Sequence, residues 1–237
     1  LLVPGLCDGR RAGMRDMGPR QKAMETARAA GLAGVVFAVL LAVAIVLVRL
    51  AIPEEAEAVA AQAATASGQR NAVQWALDLI PFAGIFFLWF LGAVRAHVGE
   101  VEDRFLATVL LGSGLVFTAT MFGGAAAAAA VLEIGRSSGG TPDPAAWDLG
   151  RDLAYSLLTG YAMRMAAVFV TSLSVIGHRL GVLPRWLMIL GVLTAFTLLF
   201  ISSNVPWAEL AFPVWSLVLS LYILGNRRTG PPDPAAP

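Results

Sequence analysis

Residues 31–52 read GLAGVVFAVLLAVAIVLVRLAI, 22 positions in which Arg49 is the one charge and after which Pro53 follows directly. A helix of that length rises through the roughly 30 Å of a bilayer's hydrocarbon core, and it exceeds the apolar core of a cleavable signal. The stretch therefore reads as a membrane anchor. Five more apolar runs follow, at about residues 73–94, 105–132, 153–176, 184–201 and 205–224, and the charges collect in the segments between them. Hydrophobic residues make up 57% of the chain against 14% charged, an excess that a soluble domain has no interior to hide. The predicted fold class is all-α, a polytopic membrane protein built as a six-transmembrane-helix bundle over residues 31–226. A basic tail, 1–30, precedes it and a Pro-rich tail, 227–237, expected to be disordered, follows.

Lysine and arginine set the predicted orientation. The N-terminal tail holds Arg10, Arg11, Arg15, Arg20, Lys22 and Arg28, and the connections that fall on the same side add Arg95, Arg104, Arg179, Arg185, Arg227 and Arg228. The opposite side holds Arg49, Arg70, Arg136 and Arg151. Twelve against four puts both termini in the cytoplasm, in the inner membrane of a bacterial-type cell. A start at Met14 or Met17 leaves that balance unchanged in sign.

Much chemistry is excluded by composition. The net charge of +1 offers no clustered basic footprint for nucleic acid. Cys7 has no second thiol with which to form a disulfide or a CxxC redox pair, and the one lysine, Lys22, lies outside every span, which removes a retinal Schiff base. HExxH and GxxxxGK[ST] are both missing. His97 and His178 fall at the cytoplasmic ends of the second and fourth runs, outside the bundle where a bis-histidine haem would sit; without a third ligand they read as interfacial histidines ahead of a metal or pH-sensing pair. No cofactor or metal is expected.

Four ionisable residues remain at membrane depth: Arg49, Asp78, Arg164 and Glu209. An arginine at a helix centre costs about 2.5–3.5 kcal/mol on insertion scales, so Arg164 is expected to face the bundle interior and meet Asp78 or Glu209. Trp75, Asp78 and Pro81 on the second run echo Trp207, Glu209 and Pro213 on the sixth. The set reads either as a structural network that fixes helix register or as a polar site at a weak inverted repeat. On the third run, Gly123, Gly124, Ala127 and Ala128 belong to a small-residue stretch expected to pack closely against a neighbouring helix. Residues 135–152, rich in Gly, Ser, Pro and Asp, read as a surface connection without period.

The segments PFAGIFFLWFLGAVRAHVGEVEDRFLATVLLGSG at 81–114, GHRLGVLPRWL at 177–187 and residues 206–224 resemble a family of uncharacterised bacterial six-helix membrane proteins, a domain of unknown function. That resemblance implies a fold and no activity. The leading functional expectation is a non-enzymatic module that works by helix-mediated association or scaffolding, its partners being the lipid bilayer and another membrane protein or a homo-oligomer. The alternatives are a small-ion or solute transporter or channel, with a polar site in the outer half of the bundle, and an intramembrane enzyme of unrecognised type.

Overall fold

A computed structural model describes residues 19–51, 67–98, 104–137, 144–201, 205 and 207–225. Within them the chain is all helix. The elements are α1 (Pro19–Ala51), α2 (Ser67–Val98), α3 (Arg104–Ser137), α4 (Pro144–Tyr155), a π segment (Ser156–Ala162), α5 (Met163–Arg179), α6 (Arg185–Phe196), a second π segment (Thr197–Ile201), a 3₁₀ turn (Ala208–Leu210) and α7 (Ala211–Gly225). Five stretches are long and apolar enough to cross a membrane: Arg28–Leu47, Gln74–Arg95, Phe105–Ala130, Asp148–Arg179 and Ala208–Gly225. Arg185–Ile201 forms a shorter apolar helix. This is the pattern of a multi-pass membrane protein, and its surface agrees, since Trp75, Phe82, Ile85 and Trp89 stand exposed in one stripe along α2.

Several helices outrun their apolar runs. α1 begins at Pro19, inside the segment read as a tail, where a proline at a helix start forfeits no hydrogen bond. The larger correction is at residues 135–152, read as a structureless connection. Pro144 opens a helix there, and α4 packs on α3 through a face that buries Ala154 and half-buries Tyr155, while Leu149 and Leu153 stay exposed. Cys7, the acidic segment 53–66 and the tail 227–237 lie outside the described residues.

Local signals close the turns. α5 ends at Arg179 with Gly181 at φ 68°, and both Val182 and Leu183 donate their N–H groups to the Gly177 carbonyl. Glycine takes that left-handed conformation without a Cβ penalty, which ends the helix and reverses the chain. Pro184 follows in an extended conformation, and its carbonyl accepts the N–H groups of Leu187 and Met188 to open α6. The sequence reading placed Pro184 one position later, as the first helical residue.

Each helix packs on its neighbours in sequence, and α7 returns to pack on α1. Gly31 faces Leu224, Gly114 faces Leu91, and Gly124 faces Leu158. The early part of α1 thus meets the late part of α7, and α3 runs against both α2 and the α4–α5 stretch. It follows that α2, α4–α5 and α7 all run one way, from an end called upper here. At mid-height Phe37, Phe87, Phe117, Phe169 and Phe212, one from each long apolar stretch, meet with ring centroids 4.8–6.4 Å apart, mostly edge to face. All five are fully buried. Edge-to-face pairs set the positive rim of one ring against the negative face of another, about 0.5–1.5 kcal/mol for each pair beyond area burial.

Phe87 touches the other four rings. Phe87→Ala is expected to cost about 3–5 kcal/mol in denaturant unfolding from mixed micelles. Phe82→Ala, on the exposed side of the same helix, is expected to stay within about 1 kcal/mol of the parent.

Candidate functional site

Above the phenylalanine layer the chain departs from regular helix at two walls of one space. The π segment Ser156–Ala162 interrupts the fourth apolar stretch, and Thr159 there donates its hydroxyl to the Tyr155 carbonyl at 2.9 Å. Opposite, Trp207 takes a left-handed conformation, φ 70° and ψ −3°, and turns the chain into the 3₁₀ residues that carry Glu209. A non-glycine residue at positive φ is uncommon, and single-turn π segments recur at functional sites. Between these walls lies a cavity of about 70 Å³, lined by Leu41, Ala44, Tyr155, Leu158, Thr159 and Glu209 among others. Its lining is apolar apart from Tyr155, Thr159 and the Glu209 carboxylate, which is 4% exposed. Pro213 falls in the first turn of α7, where its missing N–H is tolerated. Pro206 lies outside the described residues.

The other intramembrane carboxylate is placed differently. Asp78 stands in the outward stripe of α2 with Trp75, Phe82, Ile85 and Trp89, and is exposed. It lines a groove of about 410 Å³ between α2 and α3, with Phe122, Ala125, Ala126, Ala129 and Glu133 along the facing wall. The echo between Trp75, Asp78, Pro81 and Trp207, Glu209, Pro213 is thus one of sequence and not of placement, since one carboxylate faces out and the other in.

Arg164 also faces out. The buried side of α5 carries Met163, Ala166, Ala167, Val170 and Leu173, and Arg164 falls on the opposite stripe with Tyr161 and Thr171, which are likewise exposed. Its side chain runs back toward the upper end, where Nη1 lies 3.3 Å from the point a Cβ on Gly160 would occupy. The absent side chain at Gly160 gives the guanidinium its seat. Among the described residues no ion pair joins Arg164 to Asp78 or to Glu209, whereas Arg151 pairs at the surface with Asp148 and Asp152. The structure therefore brings Glu209 alone of the three to the interior. Arg49 belongs to α1, but its side chain lies outside the described residues.

The small residues of α3 split by face. Gly124 is buried against the π segment, where a Cβ would come within 2.5 Å of Leu158 Cγ. Ala128 is buried on the same side, Ala127 is half-buried and Gly123 is exposed. His178 is half-buried at the end of α5, the side chain of His97 lies outside the described residues, and no group of three metal-ligating side chains occurs among the described residues. Below the phenylalanine layer, the Ser174, Ser216 and Ser220 hydroxyls and the Trp215 Nε1 are buried with no hydrogen-bond partner among the described residues. Comparison with protein-family models, with curated proteins and with solved structures finds no match for this chain.

Gly124→Leu is expected to lower the unfolding free energy by about 1–3 kcal/mol or more, because its new side chain enters space that Leu158 fills. Gly112→Leu, where an added Cβ meets nothing within 4 Å, is expected to leave stability within about 0.5 kcal/mol of the parent in the same assay.

Proposed function

We propose that this chain is a six-crossing protein of the bacterial inner membrane, with both termini cytoplasmic, that acts without catalysis through helix-mediated association with another membrane protein. The observation that carries the reading is the contrast between axis and perimeter. Five phenylalanine rings fill the middle of the molecule, whereas Asp78, Arg164 and the small residues Gly123, Ala126 and Ala129 of α3 look outward. A pathway for solute needs a wet axis. A surface for another helix needs small side chains that let backbones approach, together with polar groups that gain from partners in hydrocarbon.

The sixth crossing is the shorter helix Arg185–Ile201. α5 and α7 run in the same direction and α6 packs on both, so α6 and the π segment after it carry the chain back through the thickness of the molecule. The lysine and arginine balance supports cytoplasmic termini.

One observation favours a second reading. The cavity beside the buried Glu209, walled by a π segment, has the form of a small-ion or proton site in a transporter. Proton or alkali-cation flux into proteoliposomes, lost on Glu209→Gln, would establish that reading instead.

In a Cys7→Ser background, cysteines at Ser138 and Ala56 are expected to react with an impermeant maleimide from outside the cell, and one at Gly181 only after permeabilisation. Cross-linking in native membranes, followed by mass measurement in mild detergent, is expected to give a discrete complex heavier than the 24.9 kDa chain. A species of monomer mass under both conditions would overturn the association reading.

A further inference from the structure

Two opposite charges stand on the outside of this molecule within its apolar belt. Asp78 interrupts a stripe of large apolar side chains on α2, and Arg164 interrupts the exposed stripe of α5. Neither makes an ion pair among the described residues. Facing lipid alone, each carries a penalty, smaller for Arg164 because its long side chain reaches toward the upper end. Shielding by a partner of opposite charge removes most of it.

The phenylalanine layer serves as a ruler for depth. Asp78 lies nine residues above Phe87 on α2. The Arg164 guanidinium lies beside Gly160, which is nine residues above Phe169 on the parallel stretch. At roughly 1.5 Å per residue both charges therefore stand about 13 Å above the layer, on walls of the molecule separated by α3. Copies of one chain inserted the same way in one membrane can turn and slide in its plane but share a depth axis. Only groups at equal height can meet between them. Asp78 and Arg164 satisfy that condition, and each copy offers one of each sign, so reciprocal contacts leave no charge over.

We infer that the partner of this surface is a second copy of the same chain, held by an ion pair between Arg164 of one copy and Asp78 of the next. The inference rests on the association reading above and names its partner. The groove beside Asp78, with Ala125, Ala126 and Ala129 along its α3 wall, leaves room for an incoming arginine side chain. Burying the pair between two proteins rather than in lipid gives it a bidentate, low-dielectric setting in which removal or reversal of one charge is costly.

The test uses full-length chains carrying two different fluorophores, reconstituted in liposomes, with energy transfer read against protein density. R164E alone and D78R alone each set like charges against one another in a self-complex, and each is expected to weaken self-association about tenfold or more. Mixing R164E copies with D78R copies is expected to restore energy transfer to near the parent level, because every contact between unlike copies then joins opposite charges. The double variant R164E/D78R is expected to self-associate like the parent. No folding defect reproduces recovery on mixing. Should both single variants fail to fold, Arg164→Cys and Asp78→Cys copies without Cys7 replace them, and a short bis-maleimide is expected to join the unlike pair in preference to either like pair. If a complex persists while the mixed copies associate no better than the single variants, or the unlike cysteines do not cross-link preferentially, the pairing is wrong and the association reading survives. If the parent chain gives no energy transfer and no heavier species in its native membrane, both fail together.

Discussion

The meeting of five phenylalanine rings at mid-height is the constraint from which the rest of this structure follows. Between helices already in lipid, apolar burial from water no longer drives packing, so van der Waals fit and the geometry of polar and aromatic groups decide how helices associate. Phe37, Phe87, Phe117, Phe169 and Phe212 each come from a different long apolar stretch, and their ring contacts, tilted or edge to face, tie those stretches to a common height. Sliding α1, α3 or α5 by a turn would withdraw its ring from these contacts, and no second ring lies within a turn of it on those helices. The layer therefore fixes register as well as adding cohesion.

What lies on either side of the layer differs in kind. Below it the helices are regular, and close approach is secured by glycines opposite hydroxyls, Gly34 against Ser220 and Gly191 against Ser174. Above it the backbone is irregular on two walls, with a π segment on one and the left-handed Trp207 on the other, and Asp78, Arg164 and Glu209 lie at that level. Glu209 turns inward to a small cavity while Asp78 and Arg164 turn outward. That division leaves a small enclosed space inside the upper half and two opposite charges on its perimeter.

The lengths and approximate places of the apolar stretches were legible because hydropathy needs only composition along the chain. α4 was not, since Gly, Ser, Pro and Asp around residue 140 outweighed the short amphipathic pattern beginning at Pro144, and a 12-residue helix leaves little room for that pattern to assert itself. The direction of Arg164 was misjudged for a physical reason. The cost of a lone arginine in lipid argued for the interior, yet Met163, Ala166, Ala167 and Val170 fall on one face of a 3.6-residue helix and Arg164 does not share it. A helical-wheel reading of Tyr161, Arg164 and Thr171 as one polar stripe would have found the outward placement. The burial of Glu209 depends on the turn at Trp207, whose left-handed backbone has no signature in a tryptophan. Convergence of five phenylalanines on one layer is a long-range fact that no local period contains.

The helix Arg185–Ile201 is only 17 residues long. On the six-crossing reading it spans roughly 25 Å, about 5 Å less than a typical hydrocarbon core. Lipid against that flank must thin to keep the helix ends from entering hydrocarbon, at a cost of fractions of a kcal/mol per Å of mismatch. The molecule thus has one short side and several long ones, and the strained annulus on the short side is relieved in a thinner bilayer or beside a neighbour with an equally short edge. Bilayer thickness then becomes a variable that biases which way the protein turns its faces in a crowded membrane.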